Sequence, residues 1–154
     1  MSFTPRFLAS IIGSVPYADA LQATDVILGS FKEIPCWPQL PKKSYCENMY
    51  VQFSENMPGI VVNKEHKKIF INIQENFEEA LELFYSKYLA EDIDYFSISE
   101  DYAGGLYEFK RRFLESGSRE AKYIKGQIVG PVSFALTVCD ESRQSLYYNE
   151  QALD

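Results

Sequence analysis

Few residues in this chain have the chemistry to act on a ligand, and most of them fall in three short stretches. The first is Ile12-Gly13-Ser14, at the end of an apolar run. A glycine there lets the backbone approach another group closely, and free N–H groups beside a hydroxyl can hold a carboxylate. The same dipeptide also suits a tight strand-to-helix turn, and the residues alone leave both readings open. The second stretch is Trp37, set between Pro35 and Pro38, where an indole either lines a pocket mouth or fills the core. The third is "KGQIVGPVSF", residues 125–134. Gln127 is a polar, hydrogen-bonding side chain near the end of its strand, Gly130-Pro131 forms a turn, and Pro131 suits a first helical position. Ser133 is either a helix-start residue or a second polar group of a site. Glu47 and Asn48 face either a ligand or water.

Other reactive residue types do not assemble. His66 sits in the charged tip "KEHKK" and reads as a solvated loop residue. Cys36, Cys46 and Cys139 are odd in number and lack a C-x-x-C spacing, so reduced thiols in a cytoplasmic protein are expected rather than a disulfide framework. One His and three scattered Cys do not make a zinc ligand set. The net charge of −7, with no clustered Lys/Arg stripe, excludes phosphate-backbone binding as a main activity. Apolar runs are far shorter than the ~20 residues a bilayer span needs. With 46% hydrophobic and 24% charged residues, the 154-residue chain has a globular composition and enough length for one buried core.

The elements that must position these residues follow from periodicity. "FLASIIG" (7–13) reads as a buried strand and "ADALQATDVILGSF" (18–31) as a helix capped by Asp19, with Leu21, Thr24, Ile27, Leu28 and Phe31 on its apolar face. Three prolines bar 34–41 from forming a long central strand, although Cys36-Trp37 can pair. A helix is predicted at about 44–54 and a β-hairpin over 59–72 around a charged tip. The clearest helix spans 76–92, with an Asn76/Glu79 capping box and a stripe of Phe77, Leu81, Phe84 and Tyr88. A short strand at 94–99, a helix ending at Gly117, a strand at 123–130, a helix from Pro131 and a last helix near 146–154 complete the chain. Asp101 reads as a helix cap. The alternation of strand and helix argues for an α/β fold with a parallel sheet.

"IIGSVP", "WPQLPKKSYCENMYVQFSENMPGI" and "KGQIVGPVSFAL" occur here in one order, and together they span most of the chain. With these motifs the chain resembles the N-terminal part of the cobalamin-independent methionine synthase family. That family belongs to a group of (β/α)8 barrels that also holds uroporphyrinogen decarboxylase and methylcobamide-dependent methyltransferases. The resemblance implies an incomplete TIM barrel, about its first three to four β/α units with an inserted β-hairpin. The whole of 1–154 would be a single partial-barrel domain, the N-terminal part of a longer parent protein. It further implies that Ile12, Gly13 and Ser14 lie against the amino-acid end of a thiol substrate such as homocysteine. Gln127 and Ser133 would stand at the barrel mouth, Ser133 in place of the family's Thr, and Trp37 would line that mouth.

The function so implied is zinc-dependent transfer of a methyl group from a folate or corrinoid donor to the thiol. The family's zinc ligands come from later barrel strands with no counterpart here. Zinc is therefore expected in the full-length parent only, with no metal and no catalytic residue in this chain, which would be inactive alone. Self-association through an exposed sheet edge is the expected consequence of an open barrel. Two alternatives stand beside this reading. One is a uroporphyrinogen decarboxylase-like fragment, disfavoured because the loop "CWPQLPKK" and the single nearby Arg6 lack that branch's arginine-rich stretch. The other is a non-catalytic half-barrel that binds a partner or small acid. Tyr17, Tyr45 and Cys46 depart from methionine synthases, and a shorter, corrinoid-linked relative is the better analogue.

Overall fold

The structure is a computed structural model that describes residues 7–74, 76–116 and 121–149. Helix α1 (Ala20–Ser30) starts where the Asp19 side chain accepts from the Gln22 N–H at 2.7 Å, as its cap signature predicts. It turns Ala23, Thr24 and Ile27 inward, whereas Leu21 is exposed. α1 packs on α4 (Glu100–Ser116), and an Asp25–Arg112 pair at 2.5 Å bridges the rim of that contact. Both side chains are well hydrated, so the pair adds at most about 1 kcal/mol.

The predicted hairpin forms. β1 (Ile60–Asn63) pairs antiparallel with β2 (Lys68–Ile71), Val61 facing Phe70 and Val62 facing Ile69. β2 then pairs parallel with the two-residue β3 (Cys139–Asp140). One face of this mixed sheet holds a core of Ile71, Ala135, Val138 and Leu146, with Ile60, Phe77 and Phe134 packed around it. α5 (Pro131–Thr137) supplies Ala135, and its first residue is the proline that its φ favours.

Among the described residues the molecule is a small α/β domain of five α-helices and this three-stranded sheet, and it is not an incomplete (β/α)8 barrel. The segments expected to be the barrel strands do run side by side. Their strand-type pairing is limited to isolated parallel bridges, Ser14 with Gln39 and Cys36 with Lys125. The reason lies in the middle segment. Pro35, Pro38 and Pro41 each lack an N–H, so no continuous ladder can form on either side of it. The first segment is not buried either: Ile12 is 78% exposed.

Four further expectations are corrected. Residues 44–54 form a 3₁₀ turn over Tyr45–Glu47 followed by turns, because the Asn48 side chain accepts from the Tyr50 N–H at 3.0 Å and diverts the backbone. Residues 93–96 are the short helix α3 (Ile93–Phe96), nucleated by Asp92 accepting from the Tyr95 N–H, rather than a strand. α2 (Phe77–Leu89) is present, but Asn76 takes a left-handed conformation and makes no side-chain cap. Near the end only a 3₁₀ turn over Leu146–Tyr148 stands where a last helix was predicted; residues 150–154 and the Gly117 stop lie outside the described residues. No helix of the described residues is long and apolar enough to cross a membrane.

Candidate functional site

The three extended segments lie in the order 8–15, 33–40, 121–128, and their C-terminal ends bring four of the predicted residues together. Gln39 is the register pin of the first pair: its N–H donates to the Gly13 carbonyl at 2.8 Å, and the Val15 N–H donates to the Gln39 carbonyl at 3.1 Å. In a parallel bridge of this kind, the N–H and C=O of Ser14 point to the far side of its strand. Ser14 is exposed, and its hydroxyl lies 3.5 Å from Gln39 Oε1.

On the other side, the Lys125 N–H donates to the Pro35 carbonyl at 2.9 Å. The carbonyl next along, that of Trp37, is taken by the side chain of Gln127, whose Nε2 donates to it at 2.9 Å. This is why a polar residue stands in this segment: the amide carries on the ladder where the backbone veers towards Gly130-Pro131. The reach of Gln127 continues across the middle segment to the first one. A Cβ built on Gly13 would lie 2.2 Å from Gln127 Nε2 and 2.5 Å from its Cδ. Gly13 also has φ +129, a conformation open to glycine alone. Both features of Gly13, its backbone angle and its missing side chain, are therefore in use. Gln127 Oε1 is buried and has no hydrogen-bond partner, so this site holds one unsatisfied acceptor.

Lys125 crosses the same face. Its Nζ donates to the carbonyls of Ile11 and Ile12 and passes over Cys36. Cys36 is fully buried, and burial pushes its thiol up despite the nearby ammonium. Such a thiol is a packing group rather than a nucleophile.

Of the predicted site residues, Gly13, Ser14 and Gln127 come together with the backbone of Trp37. The Trp37 indole is 6% exposed and packs edge-on against Phe53, with ring centroids 6.3 Å apart, so it fills the core. Ile12 contributes its carbonyl only. Ser133 is exposed on α5. A groove of about 350 Å³ begins one residue beyond Gln127, with Phe53, Met57, Ile128, Val129, Pro131 and Phe134 among its walls. It suits an aliphatic or thioether group rather than a charged one.

Behind the site runs a buried polar chain that sequence reasoning missed. Gln39 Nε2 donates to Gln52 Oε1 at 2.6 Å, and Gln52 Nε2 donates to the Tyr102 carbonyl at 2.8 Å. That carbonyl is freed by a kink in α4 at Ala103, where φ is −145 and ψ 46. Glu47, one of the two residues left open between ligand and water, faces neither. It is fully buried; its Oε2 accepts from the Leu40 N–H at 3.0 Å, and Lys43 Nζ stands 3.5 Å from Oε1. Gln39 lies in the proline-interrupted extended segment, and Glu47 and Gln52 in the turns that follow; none belongs to a periodic pattern, so nothing in their spacing announced burial.

Burial raises the Glu47 carboxyl above the usual range, with the Leu40 N–H and Lys43 acting in the opposite direction. The folded chain therefore keeps this proton where the unfolded chain has lost it. Glu47 supports the fold most below the ordinary glutamate range, and that support is lost as pH rises through the raised value. Glu47→Gln is expected to flatten this decline; urea midpoints measured across a pH series check it, and an unchanged pH slope would refute it.

Among the described residues no group of three or more His, Cys, Asp or Glu could hold a metal ion, so they do not fit a zinc centre. Comparison with models of protein families, with curated proteins and with solved structures finds no match to this chain.

Proposed function

We propose that the chain binds the amino-acid end of a small thiol substrate and serves a methionine synthase-like methyl transfer from a folate or corrinoid donor to that thiol. The observation that carries this reading is the convergence of Gly13, Ser14 and Gln127 from segments far apart in sequence, with Gln127 Oε1 buried and unpaired. A substrate ammonium is the kind of donor this oxygen lacks. The outward N–H and hydroxyl of Ser14 suit the carboxylate, as charge-assisted hydrogen bonds. The apolar groove past Gln127 suits the short aliphatic arm that carries sulfur. In the transfer itself the thiol loses its proton, a sulfur–carbon bond forms, and the donor–methyl bond breaks with its electron pair going to the donor. The described residues offer no zinc ligands, and this chain's part in the proposal is to bind and orient.

A chain that grips only the amino-acid end is indifferent to the state of the sulfur. Calorimetric titration should therefore give saturable binding of L-homocysteine and of L-methionine with similar affinity, and none of propanethiol. Ser14→Ala removes one hydrogen bond to a charged group at an exposed position and should weaken binding about tenfold without unfolding the chain. Equal binding of propanethiol, or no effect of Ser14→Ala, would remove the basis of the proposal.

A further inference from the structure

The segment 121–128 has one used edge and one open edge. Because Tyr123 and Lys125 direct their N–H groups to the Glu33 and Pro35 carbonyls, the backbone groups of Ile124 and Gly126 face the opposite way, and the alternating exposure carries the same extended pattern on to Ile128. They make no hydrogen bond to any described residue. Their side chains also share one face: exposure alternates from 124 to 130, Ile124 being 55% and Ile128 69% exposed. Protective devices common on sheet edges, outward lysines, prolines and bulges, are missing at these three positions. Lys122, just before them, is drawn away by Glu33 at 2.5 Å.

The geometry points to a second copy of this chain as the partner of that edge, joined by a two-fold antiparallel pairing centred on Gly126. The reason is self-complementarity. Two-fold pairing about Gly126 sets Ile124 against Ile128 of the other copy, twice, and glycine against glycine, all with backbone groups directed at one another. On the reverse face it sets Lys125 against Gln127, so no like charges meet. The neighbouring registers are worse. A shift by two residues one way puts Lys125 against Lys125 and Ile124 against Gly126. A shift the other way leaves both isoleucines facing glycine. Pro131, which lacks an N–H, ends the ladder. A heterologous partner could supply hydrogen bonds to the edge, but nothing in the segment selects one, whereas its own pattern selects itself.

Sedimentation equilibrium of the whole chain tests this, with a closed monomer–dimer equilibrium as the expected result. Ile124→Lys with Ile128→Lys places like charges opposite each other at both contacts and removes the apolar match. The dimer dissociation constant should rise about a hundredfold or more. Ile124→Glu with Ile128→Lys pairs opposite charges in this register and should restore much of the association. Both positions are exposed, and circular dichroism should not distinguish the variants from the parent. Hydrogen exchange supplies a check free of substitutions: the Ile124, Gly126 and Ile128 amides should be protected at high chain concentration and exchange at low. A monomeric parent chain, a dimer indifferent to the lysine pair, open-ended higher oligomers, or unprotected amides would each overturn the proposal.

Discussion

Gly13→Ala is expected to destabilise the chain by about 2–6 kcal/mol and to abolish amino-acid binding. Two costs add. An alanine at φ +129 is strained by roughly 1–3 kcal/mol. Its Cβ would also overlap the Gln127 amide, with Nε2 at 2.2 Å and Cδ at 2.5 Å, and relief of such overpacking costs about 1–3 kcal/mol more. The two parts separate in a double-mutant cycle. With Gln127→Ala already present, the overlap is gone and only the strain remains, so the cost of Gly13→Ala should fall by about 1–3 kcal/mol. Urea denaturation of the four proteins measures this directly. Equal costs in the two backgrounds would mean that Gln127 does not lie against Gly13, and the candidate site would have to be abandoned.

The other large effect is expected at the kink of α4. A Cβ on Gly105 would stand 2.0 Å from the Pro38 carbonyl oxygen and 3.0 Å from its carbon. These are backbone atoms of the segment held between the Ser14–Gln39 and Cys36–Lys125 bridges, and they cannot turn aside. Gly105→Ala must instead push α4 away from that segment, at about 3 kcal/mol or more. The displacement should be visible as loss of the Gln52–Tyr102 hydrogen bond, through faster exchange of the Gln52 side-chain amide. Gly104→Ala is the control. Its Cβ meets chiefly Lys43 Nζ, at 2.1 Å, the free end of a half-exposed side chain that can swing into solvent. The cost then falls on Glu47, deprived of its cation. Gly104→Ala should be mild below the ordinary glutamate range and grow as pH rises. A Gly105→Ala protein as stable as the parent would show that helix and segment are not in backbone contact.

Both glycines show what kind of information a single sequence carries. Local signals were legible because they act over a few residues. Asp19 capped α1, the charged tip between two apolar runs made the hairpin, and Pro131 opened α5. The convergence of Gly13, Ser14 and Gln127 was legible only through the family resemblance, since segments so far apart share no periodicity. The same resemblance misled on the fold. It promised barrel strands where the chain has isolated bridges, although the prolines that prevent a ladder were in plain view at 35, 38 and 41. Each proline removes a donor from the middle segment, and both neighbouring segments lose their ladder with it.

By itself, then, the sequence determined the Asp19 cap of α1, the hairpin and the lack of a clustered basic run, all consequences of short-range spacing and net charge. Tertiary structure alone decided that Glu47, Gln39 and Gln52 are buried, that Trp37 is core while Ser133 is exposed, and that Gln127 completes a ladder broken by proline. These outcomes depend on which backbone groups are left unpaired after packing, and a buried polar group goes wherever such a partner waits. That accounting can be made only once the chain is folded.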